Sequence, residues 1–250
     1  MKLEHIHKKY ADNFNLQGID LEIERGAFTA FIGPNGAGKS TLISIMSRLL
    51  PKDEGCLYIK GQEIEAWDNL ELAKELSLLK QTQQYQVKLT VAELVAFGRF
   101  PYSGNRLMPD DQIKIDKAIA YMELESFRER YIDTLSGGQL QRVYIAMVLA
   151  QDTDLILLDE PLNNLDIKQS IAMMKILRNL VDELGKTVII VIHDINIASQ
   201  FVDNMVAFKE GKVFHSGKMK EVMTKEILDA LYDMSVTLID VAGNPICIYH

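Results

Sequence analysis

The pattern of apolar and polar residues along the chain predicts a mixed α/β fold. Residues 1–24 alternate apolar and polar positions, which favours strands of an antiparallel sheet. Residues 28–32, 155–158 and 187–192 are continuous apolar runs, typical of strands that are buried on both faces. A further short hairpin is predicted over residues 53–64. Because helical patterns separate the apolar runs, we expect a parallel α/β core.

Two helices are predicted beside these core strands. The helix that follows residues 28–32 is expected to bury one face and to stop before Pro51. That face is made of Leu42, Ile45, Met46 and Leu49. Asp166 is expected to cap the other helix, whose apolar residues are Ile171, Met174, Val181 and Leu184.

Residues 86–150 read as a mostly helical insertion. Its helix signals are, in order, Thr90 with Glu93 capping residues 91–97, Gly98 as the end of that helix, residues 109–111 as the start of a second helix, and Ser126 with Glu129 capping a third. We therefore expect one domain over residues 1–250, in which 1–85 and 151–250 form the core and the β subdomain. Residues 236–249 resemble strands at the end of the chain.

Composition narrows the class of protein. The net charge is −8, which disfavours a broad surface for the phosphate backbone of nucleic acids, and no nucleic-acid partner is expected. Cys56 and Cys247 lack metal-site spacing and are interpreted as reduced packing residues. No apolar run approaches the roughly 20 residues of a membrane span, and the first ten residues do not resemble a signal peptide. We expect a cytoplasmic protein that reaches any membrane through a partner.

A glycine-rich segment after the first apolar run predicts a phosphate-binding loop. Residues 33–41 read Gly-Pro-Asn-Gly-Ala-Gly-Lys-Ser-Thr and match G-x-x-x-x-G-K-[ST]. Glycines let backbone N–H groups approach phosphate oxygens, and the start of the following helix adds positive potential. Lys39 can reach the β- and γ-phosphates, and the Ser40 hydroxyl can bind Mg²⁺. The residues expected to bind nucleotide here are Asn35, Gly36, Gly38, Lys39, Ser40 and Thr41.

A pair of carboxylates narrows the nucleotide site further, since the loop alone fits kinases, GTPases, helicases and transport ATPases. Asp159 and Glu160 follow a buried apolar run, where α/β proteins place their ligand crevice. We expect Asp159 to hold Mg²⁺ and Glu160 to polarise the attacking water as general base. ATP and Mg²⁺ are the predicted substrate and metal.

A third motif identifies a family. Leu135-Ser136-Gly137-Gly138-Gln139 precedes Gln141-Arg142 and resembles the signature sequence of ATP-binding cassette (ABC) ATPases. Ser136, Gly137 and Gly138 suit an anion site at the start of a helix, and Gln139 is expected to bind nucleotide with them. The resemblance implies a P-loop NTPase (RecA-like) core with an N-terminal antiparallel β subdomain and an inserted α-helical subdomain.

Further residues match the family's pattern along most of the chain. Gln81 lies where the family has its Q-loop glutamine, which senses Mg²⁺, and Asp166 ends a segment similar to the D-loop. His193 resembles the switch histidine that contacts the γ-phosphate, and Tyr10 stands at the place of the aromatic residue that stacks on adenine. These four roles are implied by the resemblance.

The resemblance also implies partners and a mechanism. Two copies of the chain are expected to pack head to tail, so that each ATP lies between the phosphate loop of one and the signature of the other. ATP binding would close this dimer and hydrolysis would reopen it. Transmembrane permease subunits and, through them, a substrate-binding protein are the other expected partners, with the chain peripheral at the cytoplasmic face of the membrane.

Residues 89–102 are similar to the helical-domain entry of importers for iron-siderophores, haem and cobalamin, and favour iron-siderophore uptake. Lys80 departs from that pattern, because these importers usually carry proline before the Q-loop glutamine. The alternative is an ABC ATPase with no transport role, such as an iron–sulfur assembly subunit. The resemblance implies that the chain does not contact the cargo, so none of its residues identifies the cargo by chemistry.

Overall fold

The computed structural model describes residues 1–10, 15–80, 88–104, 106–163, 165–241 and 243–249. The chain divides into two compact units, the first made of residues 1–67 and 178–250 and the second of residues 68–177. The predicted helical insertion, 86–150, lies inside the second unit, and its bounds stay a prediction. Among the described residues, no helix is both long and apolar enough to cross a membrane.

The strands are β1 (Lys2–Lys9), β2 (Asn15–Glu22), β3 (Phe28–Ile32), β4 (Glu54–Ile59), β5 (Gln62–Glu63), β6 (Leu76–Leu79), β7 (Leu155–Asp159), β8 (Thr187–Val191), β9 (Asn204–Lys209), β10 (Lys212–Lys218), β11 (Val236–Val241) and β12 (Asn244–Tyr249). The α-helices are α1 (Lys39–Met46), α2 (Asn69–Glu75), α3 (Val91–Ala96), α4 (Phe100–Ser103), α5 (Pro109–Tyr121), α6 (Gly137–Ala150), α7 (Ile167–Asp182), α8 (Ile195–Ser199), α9 (Met219–Val222) and α10 (Lys225–Tyr232).

The first unit contains the predicted antiparallel sheet, in the order β2-β1-β4-β5. Alternation in the sequence explains it, since Leu3 pairs with Leu21 and Ile6 with Ile19, and all four side chains are buried. The other positions of these strands are mostly polar and are exposed or half-buried.

A second sheet in this unit is mostly parallel. Strand β3 pairs in parallel with β8 on one side and with β9 on the other, and β10 runs antiparallel beside β9. Every residue of β3 and β8 is buried, as their continuous apolar runs predict. At the end of the chain β11 and β12 form an antiparallel hairpin, where the sequence resembles strands.

The second unit pairs β6 and β7 in parallel and packs α3, α5 and α6 around an apolar centre. Two of its predicted helix starts are confirmed. Thr90 and Glu93 form a reciprocal capping box at α3, and Pro109 occupies the first turn of α5.

Three expectations about helix ends are wrong. Leu49 is 62% exposed, because α1 ends at Met46 and Arg48 turns the chain with a φ of 59°. Gly98 does not end α3, since the chain continues as a 3₁₀ turn over Phe97–Arg99. Ser126 and Glu129 cap no α-helix, and only a 3₁₀ turn, Glu125–Phe127, forms there.

The reason for the missing third helix is visible in the backbone. The carbonyl groups of Arg128 and Arg130 accept hydrogen bonds from the N–H groups of Ala92 and Val91, at 3.0 Å each. The N–H groups that would continue a helical turn bond elsewhere, since Ile132 donates to the Leu89 carbonyl and Thr134 to the Tyr131 carbonyl, so the carbonyls of Arg128 and Arg130 serve to fix the start of α3.

Candidate functional site

The glycine-rich loop joins β3 to α1 in the first unit. Gly33 is held at a φ of 131°, and a Cβ on it would lie 2.1 Å from the carbonyl oxygen of Phe208. Only glycine permits this close approach, so the loop leaves the sheet directly beside β9. The predicted strand–loop–helix context of the motif is therefore present.

The first turn of α1 is open to an anion. Gly38 occupies the position before the helix, no side chain caps it, and no acidic residue lies in the first turn. The N–H groups that begin a helix need partners, and here a ligand can supply them. Asn35 and Gly36 are exposed at the rim of the loop, and Ser40 and Thr41 lie half-buried in the first turn.

Lys39 is 5% exposed, and its ammonium group donates to the carbonyl oxygens of Gly33 at 2.7 Å and Pro34 at 2.8 Å. A buried ammonium group needs such oxygen partners, since desolvation penalises its charge. The lysine thus lies inside the glycine-rich loop, where the sequence motif predicts a phosphate-binding lysine.

His193 and the glycine-rich loop lie at the same edge of the sheet. Strands β3 and β8 run in parallel with Phe31 opposite Val191, and the Ile192 N–H donates to the Phe31 carbonyl at 3.2 Å. Strand β3 ends at Ile32 and β8 at Val191, so Gly33 and His193 lie one and two residues beyond neighbouring strand ends. The His193 side chain is exposed there.

The helix that follows His193 is fixed by the end of the chain. Asp194 caps α8 by accepting from the N–H groups of Asn196 and Ile197 at 2.9 Å each. The Asn196 amide in turn pairs with the backbone of Cys247, donating to its carbonyl at 2.9 Å and accepting from its N–H at 2.7 Å. Strand β12 therefore positions the segment after the histidine.

Tyr10 follows β1, is 42% exposed, and donates its backbone N–H to Asn15 Oδ1 at 3.3 Å. The start of β2 is connected to the glycine-rich loop through Gly211, whose carbonyl accepts from Gln17 and whose N–H donates to Ala37. A cavity of about 460 Å³ lies between the two, lined in part by Asn15, Asn35 and Gly36. Tyr10 is thus linked through Asn15 to one wall of this cavity, and the loop forms another wall.

In the second unit, β7 ends at the two predicted carboxylates. Asp159 is 2% exposed, and Glu160 has a φ of 53°, which is uncommon for a residue other than glycine. Asn163 Nδ2 donates to Glu160 Oε2 at 2.6 Å and so orients the carboxylate. This role of Asn163 was not predicted from the sequence. The only local indication was the position of an amide side chain three residues after Glu160, within reach of its carboxylate.

The signature residues form the start of α6. Ser136 accepts from the Gln139 N–H at 3.3 Å, and Gln139 Oε1 accepts from the Ser136 N–H at 3.0 Å. Ser136 and Gly137 are exposed, whereas Gly138 packs against the side chain of Gln169. The side-chain cap thus satisfies the N–H groups of Ser136 and Gln139, and the helix start still presents one hydroxyl and a glycine to solvent.

Asp166 caps α7, as predicted for that helix, by accepting from the Gln169 N–H at 2.7 Å. Gln81, the predicted Q-loop residue, lies outside the described residues, as does Asn164 in the segment similar to the D-loop. Their predicted roles stay predictions.

The residues present fit ATP and Mg²⁺ by their chemistry. The bare helix start with Lys39 suits a polyphosphate, and the Ser40 hydroxyl and the Asp159 carboxylate are the hard oxygen donors that Mg²⁺ prefers. No cluster of three or more His, Cys, Asp or Glu side chains occurs in the described part of the chain. A magnesium ion carried by phosphates needs only one or two carboxylates.

Comparison with known proteins gives a consistent result. A family model described as ABC transporter matches residues 16–163. The petrobactin import ATP-binding protein YclP of Bacillus subtilis (strain 168) is 51% identical over 249 residues, which is 100% of this chain and 99% of that protein. The petrobactin import ATP-binding protein FatE of Bacillus anthracis is 42% identical and is covered over its full length.

The fold is similar to solved cassettes as well. One is the dimeric post-hydrolysis state of the ATP-binding cassette MJ0796 bound to ADP and Pi, with a TM-score of 0.77 and 33% identity. The match covers 87% of this chain and 98% of that one. The predicted α/β fold of a P-loop NTPase is confirmed.

Proposed function

Since this chain belongs to the family of ABC transporter ATP-binding proteins, we propose that it is the ATPase subunit of an importer of ferric petrobactin. The observation that carries the cargo is the 51% identity to YclP over the whole length of both proteins. Binding and hydrolysis of ATP follow from the family and are the activity that the site residues must serve. YclP and FatE are both import ATP-binding proteins, so the iron–sulfur assembly alternative is not favoured.

Binding of ATP begins in the first unit. The bare start of α1 gives N–H donors to the phosphates, and Lys39 adds a positive charge that is already desolvated. Tyr10 offers an exposed ring to adenine, and His193 offers an imidazole to the γ-phosphate. Ser40 supplies an oxygen to Mg²⁺, which when bound neutralises phosphate charge.

Water activation is assigned to the second unit. Glu160 accepts the proton of the attacking water, and the hydrogen bond from Asn163 holds the carboxylate in one orientation. Asp159 is the buried oxygen donor for Mg²⁺, and Gln81 is proposed as a further ligand by family resemblance alone. The left-handed backbone at Glu160 is the kind of strained conformation that persists at functional sites.

Completion of the site requires a second copy of the chain. Ser136 and Gly137 are exposed at a helix start that carries no acidic residue in its first turn, which suits the γ-phosphate of an ATP bound to another copy. Gly138, Gln139 and Asp166 belong to the same proposed dimer contact. The dimeric state of the related cassette supports this arrangement.

A permease surface is proposed in the second unit, beside α4. Its exposed apolar side chains are Phe97, Phe100, Tyr102, Leu107 and Met108, with exposed fractions between 41% and 57%. We call these residues the aromatic turn. Clustered exposed apolar side chains mark protein interaction sites. Docking there would hold the chain at the cytoplasmic face of the membrane, below a permease served by a substrate-binding protein.

The test combines purified protein and membranes. Glu160→Gln should form a stable dimer in ATP and Mg²⁺, seen by light scattering, whereas the unchanged chain should dimerise only transiently. The chain should also co-purify with a permease that carries radiolabelled ferric petrobactin into vesicles when ATP is supplied. If the dimer forms but the vesicles take up no petrobactin, the proposed ATPase activity stands and the proposed cargo is wrong.

A further inference from the structure

Arg99 is a buried charge in the second unit with three defined contacts. The residue is 6% exposed, Nε donates to Asp111 Oδ1 at 2.9 Å, and Nη1 donates to the carbonyl oxygen of Ala150 at 2.8 Å. The face of the guanidinium lies 3.9 Å from the ring centre of Tyr102. Arginine is the side chain whose planar fork can make all three contacts at once.

Asp111 completes the pair from α5 and is 4% exposed. Burial would raise the pKa of this carboxyl, but the Met108 N–H and the Arg99 guanidinium hold it below its usual range. The carboxylate therefore stays charged, and a charge placed here without its partner would be costly. Such an arrangement fixes the position of each member.

The contact at Ala150 ties Arg99 to the last residue of α6, the helix that begins with the signature. Gly98 adds a second contact to the same turn, because a Cβ on it would lie 2.1 Å from the carbonyl oxygen of Met147. Two successive residues of the 3₁₀ turn therefore press against the end of the signature helix.

The beginning of α3 is fixed to the other end of the signature segment. The Val91 N–H donates to the Arg130 carbonyl at 3.0 Å, and the Ile132 N–H donates to the Leu89 carbonyl at 2.9 Å. Residue 132 lies four positions before Ser136. Helix α3 and its 3₁₀ extension thus contact the signature segment both before its start and at its end.

We propose that Arg99 is a positioning residue that joins the aromatic turn to the signature helix, so that a displacement of one is passed to the other as a rigid-body movement. Arg99 itself is buried and touches neither permease nor nucleotide. Tyr102, which stacks on it, belongs to the exposed surface, and Ala150 belongs to the helix that carries Ser136 at its start. The inference rests on the proposed function, in which a permease docks on the aromatic turn.

The choice of variants follows from the chemistry of the pair. Arg99→Met with Asp111→Asn removes both charges, fills the space of the arginine stem, and leaves an amide oxygen to accept from Met108. Replacing a buried ion pair by neutral groups of similar volume is often tolerated by the fold. The bond to Ala150 and the stacking on Tyr102 are lost.

The matched control removes another ion pair of α5, one that joins it to the residues just after α6. Lys114 on α5 donates to Asp152, which lies two residues after α6, and both side chains are about 40% exposed. Lys114→Met with Asp152→Asn should have little effect, because exposed pairs stabilise weakly. Asparagine is also well accepted at the φ of 56° that Asp152 adopts.

The experiment measures two rates in the assembled transporter, namely uptake of radiolabelled ferric petrobactin into vesicles and ATP hydrolysis, together with the melting temperature. For Arg99→Met/Asp111→Asn we expect the ratio of petrobactin taken up to ATP hydrolysed to fall about tenfold, as coupling of this size is typical. The control pair should keep the ratio of the unchanged protein.

A purely structural role predicts a different result. Uptake and hydrolysis would then fall in proportion, along with the melting temperature, and that outcome, or an unchanged ratio, would overturn the proposal. If the double variant does not purify in a folded state, Arg99→Lys gives the same test, because lysine keeps the charge but lacks the planar fork that reaches Asp111 and Ala150 from two separate nitrogens. Absence of uptake by the unchanged complex would instead contradict the proposed function, and with it this inference.

Discussion

Two helices of this protein begin in segments to which we assign phosphate contacts, and they are built differently. Helix α1 follows Gly38 and has no side-chain cap, while the buried Lys39 lies within its loop. Helix α6 follows Ser136, whose side chain and that of Gln139 satisfy each other's backbone N–H groups. The first start therefore offers its N–H groups to a ligand with no side chain in competition, whereas the second already uses one of its N–H groups, that of Gln139, in a side-chain cap.

This difference between the two helix starts separates ATP binding by one chain from closure of the dimer. A bare helix start with a desolvated ammonium can bind ATP in a single chain, because both contributions lie in one unit. A capped start with an exposed hydroxyl adds few new hydrogen bonds and is expected to bind phosphate only when another copy presents it. ATP binding and dimer closure should then respond to different substitutions.

The largest effect is expected for the chemical step that follows both stages. Glu160→Gln should slow hydrolysis by about 10² to 10⁴-fold, because the amide cannot accept the proton of water. ATP binding should persist, so the dimer accumulates and is measurable by light scattering beside phosphate release. Asn163→Ala is the companion variant, since it leaves the base but removes its 2.6 Å hydrogen bond. Phosphate release at the normal rate in Glu160→Gln would show that another group is the base.

Binding itself should depend on Lys39. Lys39→Met should weaken ATP binding by about 10- to 100-fold, the worth of one or two hydrogen bonds to a charged group. The measurement is calorimetric titration of the monomer with ATP and Mg²⁺. The melting temperature serves as control, since the same lysine also bonds to Gly33 and Pro34. Unchanged affinity in a folded variant would contradict the assignment of the loop.

Closure should depend on Ser136. In a Glu160→Gln background, Ser136→Ala should weaken the ATP-dependent dimer by about tenfold, as expected for one hydrogen bond to a charged phosphate. Ser136→Asp separates capping from phosphate binding, because aspartate caps the helix yet repels the anion. Monomers of both variants should bind ATP with the affinity of the parent. A dimer of normal stability in Ser136→Asp would mean that no phosphate approaches this helix start.

The smallest effect concerns the capping box alone. Gln139→Ala should lower stability by about 0.5–1 kcal/mol, because it removes the bond to the Ser136 N–H. For a chain of this length that is a shift of about 1–4 °C in thermal unfolding, measurable by calorimetry. Gln139→Glu keeps the box and should keep the melting temperature while weakening the dimer. If Gln139→Glu also lowers the melting temperature, the loss of stability in Gln139→Ala does not come from the missing hydrogen bond to the Ser136 N–H.

Sequence patterns predicted the parts of this molecule that local physics determines. Strands β3, β7 and β8 were predicted because continuous apolar runs need burial on both faces, and the start of α3 because its cap is contained in four residues. The glycine-rich loop was found by spacing alone, and its confirmed context is the strand before it and the helix after it.

Long-range contacts explain what sequence could not predict. Nothing local shows that the carbonyls of Arg128 and Arg130 are taken by α3, so Ser126 and Glu129 wrongly indicated a helix. Arg99 and Asp111 read as ordinary charged positions until the fold buries both. The left-handed backbone at Glu160 is likewise imposed by the turn after β7 and not by the residue type.

The self-satisfied cap on α6 has a consequence for reaction order. If phosphate is bound at Ser136 only when a second copy brings it, detached chains at low concentration should hydrolyse ATP at a rate that rises with the square of their concentration. Chains held in pairs on a permease experience a high effective concentration of each other, and their rate per transporter should not change on dilution. Membrane assembly would then act as the concentrating step of catalysis.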